Sequence, residues 1–390
     1  MKKALLFIFI LLCSISINAQ TIYEQFESRK LNSTRELKIR LPKDYDAESN
    51  LKYPVILVFD ADYLFEPVVG QVAFQTYFDK MPEAIVVGVI QGKDRFYDSY
   101  HDEISGVPIE FGARFYDFIS TELIPHIDRR YKTSKFKVVV GHDLMANFMN
   151  SFLLKDDPLF KAYVNLSPDF IGEMDNNIAQ RLKWLKEDVF YYMATSEDDL
   201  APLRTGILEA NEKLGELNNK ALKYYFDDFK GDSHYTLVTG ALSQALDKIF
   251  ELYKPISDRE FKNDILTYEG TLDTYITKRY KKIDDLFGIN KPISEDEFEK
   301  IIKAAEQRGD VASLEKIGKL ANKQDPTTSY GTYYMALHAE RIGKTKRAKK
   351  LYESALDLES TPHINKDLIL LKVEGLTSIA VDDNESDIDD

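Results

Sequence analysis

The chain has 390 residues, a formal charge of -14 and one cysteine. An acidic chain repels nucleic acid and anionic lipid surfaces, so neither is expected as a partner. A single thiol excludes an internal disulfide and a thiolate metal cluster, which leaves the core to hold a large domain and a smaller one.

In chain order, Lys2 and Lys3, the apolar run Leu5 to Leu12 and the small residue Ala19 read as an export signal over 1–19, too short to be a permanent membrane span. Its loss would remove both lysines, so the mature charge becomes -14 - 2 = -16. Cys13 would leave with it. Lipidation there is disfavoured, because Leu12 is not the small residue such a site needs. The mature protein is expected to be periplasmic or secreted, with no membrane span.

From Leu37 to about Tyr253, short β-branched or aromatic runs alternate with helical patterns. Val55–Phe59, Ala84–Val89, Lys137–Val140, Ala162–Leu166 and Val189–Met193 are apolar on both faces, as in strands of a parallel sheet covered on both sides. Thr34 to Leu41 alternates more and suits an antiparallel edge. Helical patterns follow at 112–125, 145–153 and 237–252. The alternation predicts a doubly wound α/β domain over 20–254.

Past Pro255 the strand-like runs stop. Three helical stretches, 259–286, 295–320 and 330–358, predict a small all-α domain over 255–375. In the last stretch, Tyr333, Tyr334, Ala336, Ala339, Gly343, Ala348, Tyr352 and Ala355 have the small-residue and aromatic spacing of a tetratricopeptide-type helix pair. The outer face of such a unit is a candidate surface for a protein partner. The acidic end, 376–390, has little to bury and is expected to be unstructured.

Gly141-His142-Asp143-Leu144-Met145 follows a predicted strand and opens a predicted helix, the setting of a nucleophile elbow. Aspartate tolerates the left-handed conformation such a tip requires, so Asp143 suits the turn as well as chemistry. Together with Glu122 to Pro125, Ile127-Asp128, Tyr131, Phe160 to Pro168 and Gly231 to His234, the motif resembles the esterase D and enterochelin esterase family of α/β-hydrolases. Tyr53-Pro54-Val55 leading to Phe59-Asp60-Ala61-Asp62 resembles that family's Asp-Gly-Asp loop, and Arg95 with Asp98 its Arg-x-x-Asp segment. The likeness runs over roughly residues 30–253.

The resemblance implies an α/β-hydrolase fold with Asp143 in the place of the nucleophilic serine and His234 as the general base. Glu197 or Asp198 is favoured as the triad acid, with Asp199 beside them. It also implies an oxyanion-binding backbone at Leu144, Ala61 and Asp62. Tyr63, Arg95, Tyr100, His101, His142 and Met145 are candidates for the wall of a small-molecule pocket. Three departures accompany it: aspartate replaces serine, Met145 and Ala146 replace the glycines after the elbow, and Ala61 replaces the loop glycine.

Carboxylate attack on an ester would give an anhydride more reactive than the ester, so serine-type hydrolysis by Asp143 is not expected. Three uses of the site are open. One is altered or reduced hydrolysis of an ester-type substrate, with Asp143 as a fixed charge paired with His234. Another is a non-catalytic binding or scaffold protein. The third is carboxylate attack at the saturated carbon of an epoxide or alkyl halide. The six histidines lack zinc-ligand spacing, so no metal is expected, and no cofactor.

Overall fold

The computed structural model describes residues 21–385. The expected export signal, Cys13 and residues 386–390 lie outside the described residues. The chain divides into two compact units, one formed by the residues up to Lys254 with Leu286–Ile289, the other by Pro255–Asp285 and the residues from Asn290 onward.

The first unit is built on eight strands: β1 (Ile22–Ser28), β2 (Ser33–Arg40), β3 (Tyr53–Val58), β4 (Ile85–Val89), β5 (Thr133–Asp143), β6 (Ala162–Pro168), β7 (Val189–Asp198) and β8 (Leu222–Ser233). Their spatial order is β1-β2-β4-β3-β5-β6-β7-β8. The β1–β2 and β2–β4 pairs are antiparallel, and the rest of the sheet is parallel. This is the α/β-hydrolase fold expected from the sequence.

Every residue of β3, β4 and β6 is buried, as strands covered on both faces require. Two strands go beyond the sequence expectation. β1 alternates half-buried and exposed residues, and β8 carries Lys223, Asp227, Asp228 and Lys230 along a partly exposed edge. Edge strands need no continuous apolar run, so neither leaves a strong signal. Along the sheet, Glu110–Asp117 widens into a π turn over Phe118–Leu123 before Ile124–Arg130. Pro125 has no N–H to give the preceding turn, which accounts for the irregularity there.

In the second unit the long stretches read from sequence are divided further. Glu295–Arg308 ends at Gly309 in the left-handed conformation, and Asp310 caps the next helix, Val311–Gln324, by accepting from the Ser313 amide. Ser329–Arg341 and Thr345–Ala355 flank Gly343, which has φ of 72°. The last helix, Lys366–Glu385, corrects the expectation of an unstructured tail beginning at 376. Ile369 and Leu376 are buried in the core of this unit with Val373 against it, an apolar stripe along the first half of the helix. Among the described residues no helix is long and apolar enough to cross a membrane.

Candidate active site

The C-terminal ends of β3, β5, β6 and β7, with the turn after β8, supply the site. β5 ends on Asp143, whose φ of 57° and ψ of -126° turn the chain abruptly into the helix Leu144–Met149. Gly141 permits the turn: a Cβ there would lie 2.7 Å from the Met145 carbonyl oxygen. The Asp143 side chain does not cap the helix it precedes. Its carboxylate instead accepts from Arg95 Nη2 at 3.3 Å, and among the described residues this is its side-chain hydrogen bond.

Arg95 gathers more than one partner. Its Nε and Nη2 donate to the two oxygens of Asp60 at 2.6 and 3.1 Å, and Nη2 also lies 3.4 Å from the His142 carbonyl oxygen. Asp60, at the end of β3, is 1% exposed and has φ of 52°. Burial raises its carboxyl above the usual range, partly offset by the bonds from Arg95. The guanidinium thus stands between a buried carboxylate and the one at the elbow.

Opposite this cluster lies a second one. His234, in the turn after β8, has Nδ1 at 2.8 Å from Asp199 Oδ1. Asp199 also accepts from Ser167 Oγ at 2.7 and 2.8 Å, from Thr195 Oγ1 at 2.7 Å and from the Leu200 amide at 2.8 Å. Burial pushes its carboxyl up, but the bonds from His234, Ser167, Thr195 and Leu200 outweigh burial and hold it down at about 2. Asp199 therefore stays ionised and fixes the proton of His234 on Nδ1, which makes Nε2 the basic atom of the ring.

The acid assignment changes accordingly. Glu197 and Asp198, favoured from the sequence, are exposed and make no hydrogen bond to His234, whereas Asp199 does. β7 pairing ends at Asp198, and the Asp199 amide then donates back to the Ser196 carbonyl at 3.2 Å, closing a turn that returns the Asp199 carboxylate to Thr195 and Ser167. The expected pairing of Asp143 with His234 is replaced by the Arg95 bond. Ala61 is also corrected as an oxyanion donor, because its amide donates to the Val89 carbonyl at 3.2 Å within the sheet edge. Among the described residues the Asp62 amide makes no such bond, and the Asp62 carboxylate accepts from the amides of Gln91 and Gly92 at 3.0 and 3.2 Å.

The remaining candidates divide. Tyr63 Oη lies 3.1 Å from Asp60 Oδ2 and 2.9 Å from His142 Nδ1, joining the cluster. His142 is buried, and its Nε2 lies 3.2 Å from the His234 carbonyl oxygen. Leu144 follows the elbow and is half-buried. Met145 is fully buried, its sulfur 3.5 Å from Gln91 Nε2. His101 spends Nδ1 on the Ser99 carbonyl at 2.8 Å, and the half-buried Tyr100 has its ring beside Phe96.

Ser167, Thr195 and Asp169 were not foreseen. Ser167 has φ of 41° at the end of β6, and a serine before Pro168 was the signal that could have singled it out. The Asp169 amide donates to the Asp143 carbonyl at 3.3 Å; burial, and then the Asp143 charge, raise its carboxyl. Among the described residues no group of three or more His, Cys, Asp or Glu side chains is placed to hold a metal ion.

Known proteins carry the same frame. The family model described as "Putative esterase" matches residues 28–249. A ferri-bacillibactin esterase of Bacillus subtilis is 24% identical over 259 residues, covering 58% of this chain and 88% of its own. An uncharacterised protein from Capnocytophaga ochracea superposes with a TM-score of 0.84 at 30% identity, over 92% of this chain and all of the other. The BES protein from Bacillus cereus gives 0.53 at 26% identity, over 60% of this chain and 95% of the other.

Proposed function

We propose, from the premise that this chain belongs to the putative esterase family of α/β-hydrolases, that it is an exported hydrolase of altered, reduced ester-cleaving activity in which water replaces the serine nucleophile. His234 Nε2 takes a proton from a water as that water attacks the ester carbonyl. The tetrahedral anion faces the amides of Leu144 and Asp62. On collapse the alkoxide leaves with the proton from His234, giving an acid and an alcohol. No acyl-enzyme forms.

The observation that carries this reading is the His234–Asp199 pair, with Nδ1 held at 2.8 Å and Asp199 accepting from three further donors. Three further donors converge on the one carboxylate that holds the imidazole, which supports a base at His234. Arg95 supports it from the other side: by pairing with Asp143 it offsets an anion that would repel the developing oxyanion. The same bond weakens Asp143 as a nucleophile toward epoxides and halides. Esters of the ferric-siderophore class, named for the Bacillus subtilis relative, are the substrates to try first.

A second reading, a binding protein with a silenced site, is favoured by one feature. Met145 is fully buried where a glycine would let backbone and substrate approach. The helical unit supports a partner-binding role in either case, since Leu370 and Leu371 are exposed on its last helix. Its repeat-like helix pair belongs to this proposal, as does export, which calls for a mature chain beginning at Gln20.

Hydrolysis of p-nitrophenyl acetate and butyrate separates the readings. The hydrolase reading expects slow turnover in the native chain, lost by at least about tenfold in His234→Ala, and faster turnover in Asp143→Ser. An inert native chain with a gain in Asp143→Ser gives the decision to the silenced site. Heavy-oxygen label in Asp143 after a single turnover would instead establish a covalent aspartyl ester.

A further inference from the structure

Tyr63 and His142 have no step in water attack, yet both belong to a chain of polar contacts that ends on His234. His234 sits in a turn, where no ladder of backbone bonds fixes it. Asp199 holds its ring from one side. Its main chain has a separate anchor in His142, whose Nε2 lies 3.2 Å from the His234 carbonyl oxygen and whose ring centroid lies 4.3 Å from that of His234.

Proton counting orients the two bonds of the His142 ring. A carbonyl oxygen carries no proton, so His142 must donate from Nε2. A neutral imidazole has one N–H, so its Nδ1 must accept. The donor 2.9 Å from Nδ1 is the Tyr63 hydroxyl. That hydroxyl has one proton and a second neighbour, Asp60 Oδ2, at 3.1 Å. The one Tyr63 proton is therefore shared between two acceptors, Asp60 Oδ2 and the nearer His142 Nδ1. The groups facing the ring are Tyr63, His234 and Tyr235, with Asp60, Arg95 and Asp143 behind them.

We infer that Tyr63 and His142 are positioning residues for His234: Tyr63 fixes His142 as the Nε2–H tautomer, and that N–H holds the main chain of His234 so that its ring stays aligned with Asp199. The inference rests on the reading of His234 as the base. It gives the histidine of the elbow a role that neither the elbow turn nor the substrate wall requires. Burial, with the neighbouring His234, lowers the pKa of His142 to about 4, so the neutral form the argument needs is the one present at neutral pH.

Long-range nitrogen–proton spectra of the histidine-labelled full chain test this without turnover. At pH 7 His142 is expected as the Nε2–H tautomer, with tautomers mixed in Tyr63→Phe. In His142→Phe the His234 ring should lose its single Nδ1–H tautomer, seen as averaged nitrogen shifts, whereas His142→Gln, whose amide can donate to the same carbonyl, should restore it. Where turnover is measurable, kcat should fall about tenfold in the phenylalanine variant with KM little changed, and recover in the glutamine variant. His142 found as the Nδ1–H tautomer, or His234 still a single Nδ1–H tautomer in His142→Phe, would overturn the inference. A chain that shows the expected tautomers and their changes in the variants but no turnover, alone or as Asp143→Ser, would sink the hydrolase reading and leave this one standing.

Discussion

The two halves of the cleft have fared differently. On the β6–β8 side, Asp199, Ser167, Thr195 and His234 form a closed set in which a buried carboxylate has four donors and a histidine its fixed proton. On the β3–β5 side, the elbow carries a carboxylate, held by an arginine that also serves Asp60. One half surrounds a histidine with a fixed proton. The other contains a charge. The difference shows that the groups around His234 and those around Asp143 are held independently, by different strands and different hydrogen bonds.

The largest expected effect breaks the first half. Asp199→Asn would leave His234, Ser167 and Thr195 without their common acceptor and let the imidazole take the wrong tautomer. Turnover, read in whichever background is active, should fall by about 10³-fold or more, as orienting acids of such triads generally show. A fall of less than about tenfold would mean that the closed set is only structural.

Breaking the second half should act on stability before chemistry. Arg95→Ala would strand Asp60, which is 1% exposed, as an unpaired buried carboxylate. Removing one partner of a buried ion pair costs about 3–5 kcal/mol, to be read from denaturant midpoints. A loss below about 1 kcal/mol would show that water or a shifted side chain replaces the guanidinium.

The smallest effect sharpens the boundary between the halves, where His142 lies. Its pKa falls to about 4 on folding from 6.5, so between those values the unfolded chain binds more protons than the native one. Stability from keeping His142 neutral is then full above pH 6.5 and is lost as pH falls toward 4, on the order of 3 kcal/mol in all. His142→Gln should flatten that part of the stability profile. An unchanged slope would assign the acid sensitivity to other groups.

The helical unit offers a contrast in legibility. Its amphipathic stripes and the Gly343 turn are written locally, and the Capnocytophaga protein, covering 92% of this chain, has both units. Gly309 and Asp310 were also present to be read as a stop and a start, but helical periodicity on both sides obscured them. In the sheet, β3 to β7 were legible because strands buried on both faces must be apolar throughout. β1 and β8 were not, because an edge has a solvent side.

The sequence by itself determined the alternation of strands and helices, the elbow at Asp143, the histidine at 234 and the acidic cluster after β7. The first two follow from local conformation and chain order, and the last two from the resemblance to the esterase D and enterochelin esterase family. Only the tertiary structure decided that Asp199, rather than Glu197 or Asp198, holds His234, that Arg95 holds Asp143, and that His142 anchors His234 across a separation of 92 residues. Each of those choices is a hydrogen bond between groups on different strands or loops. Its length depends on sheet register and on where a turn closes, which no local pattern of residues records.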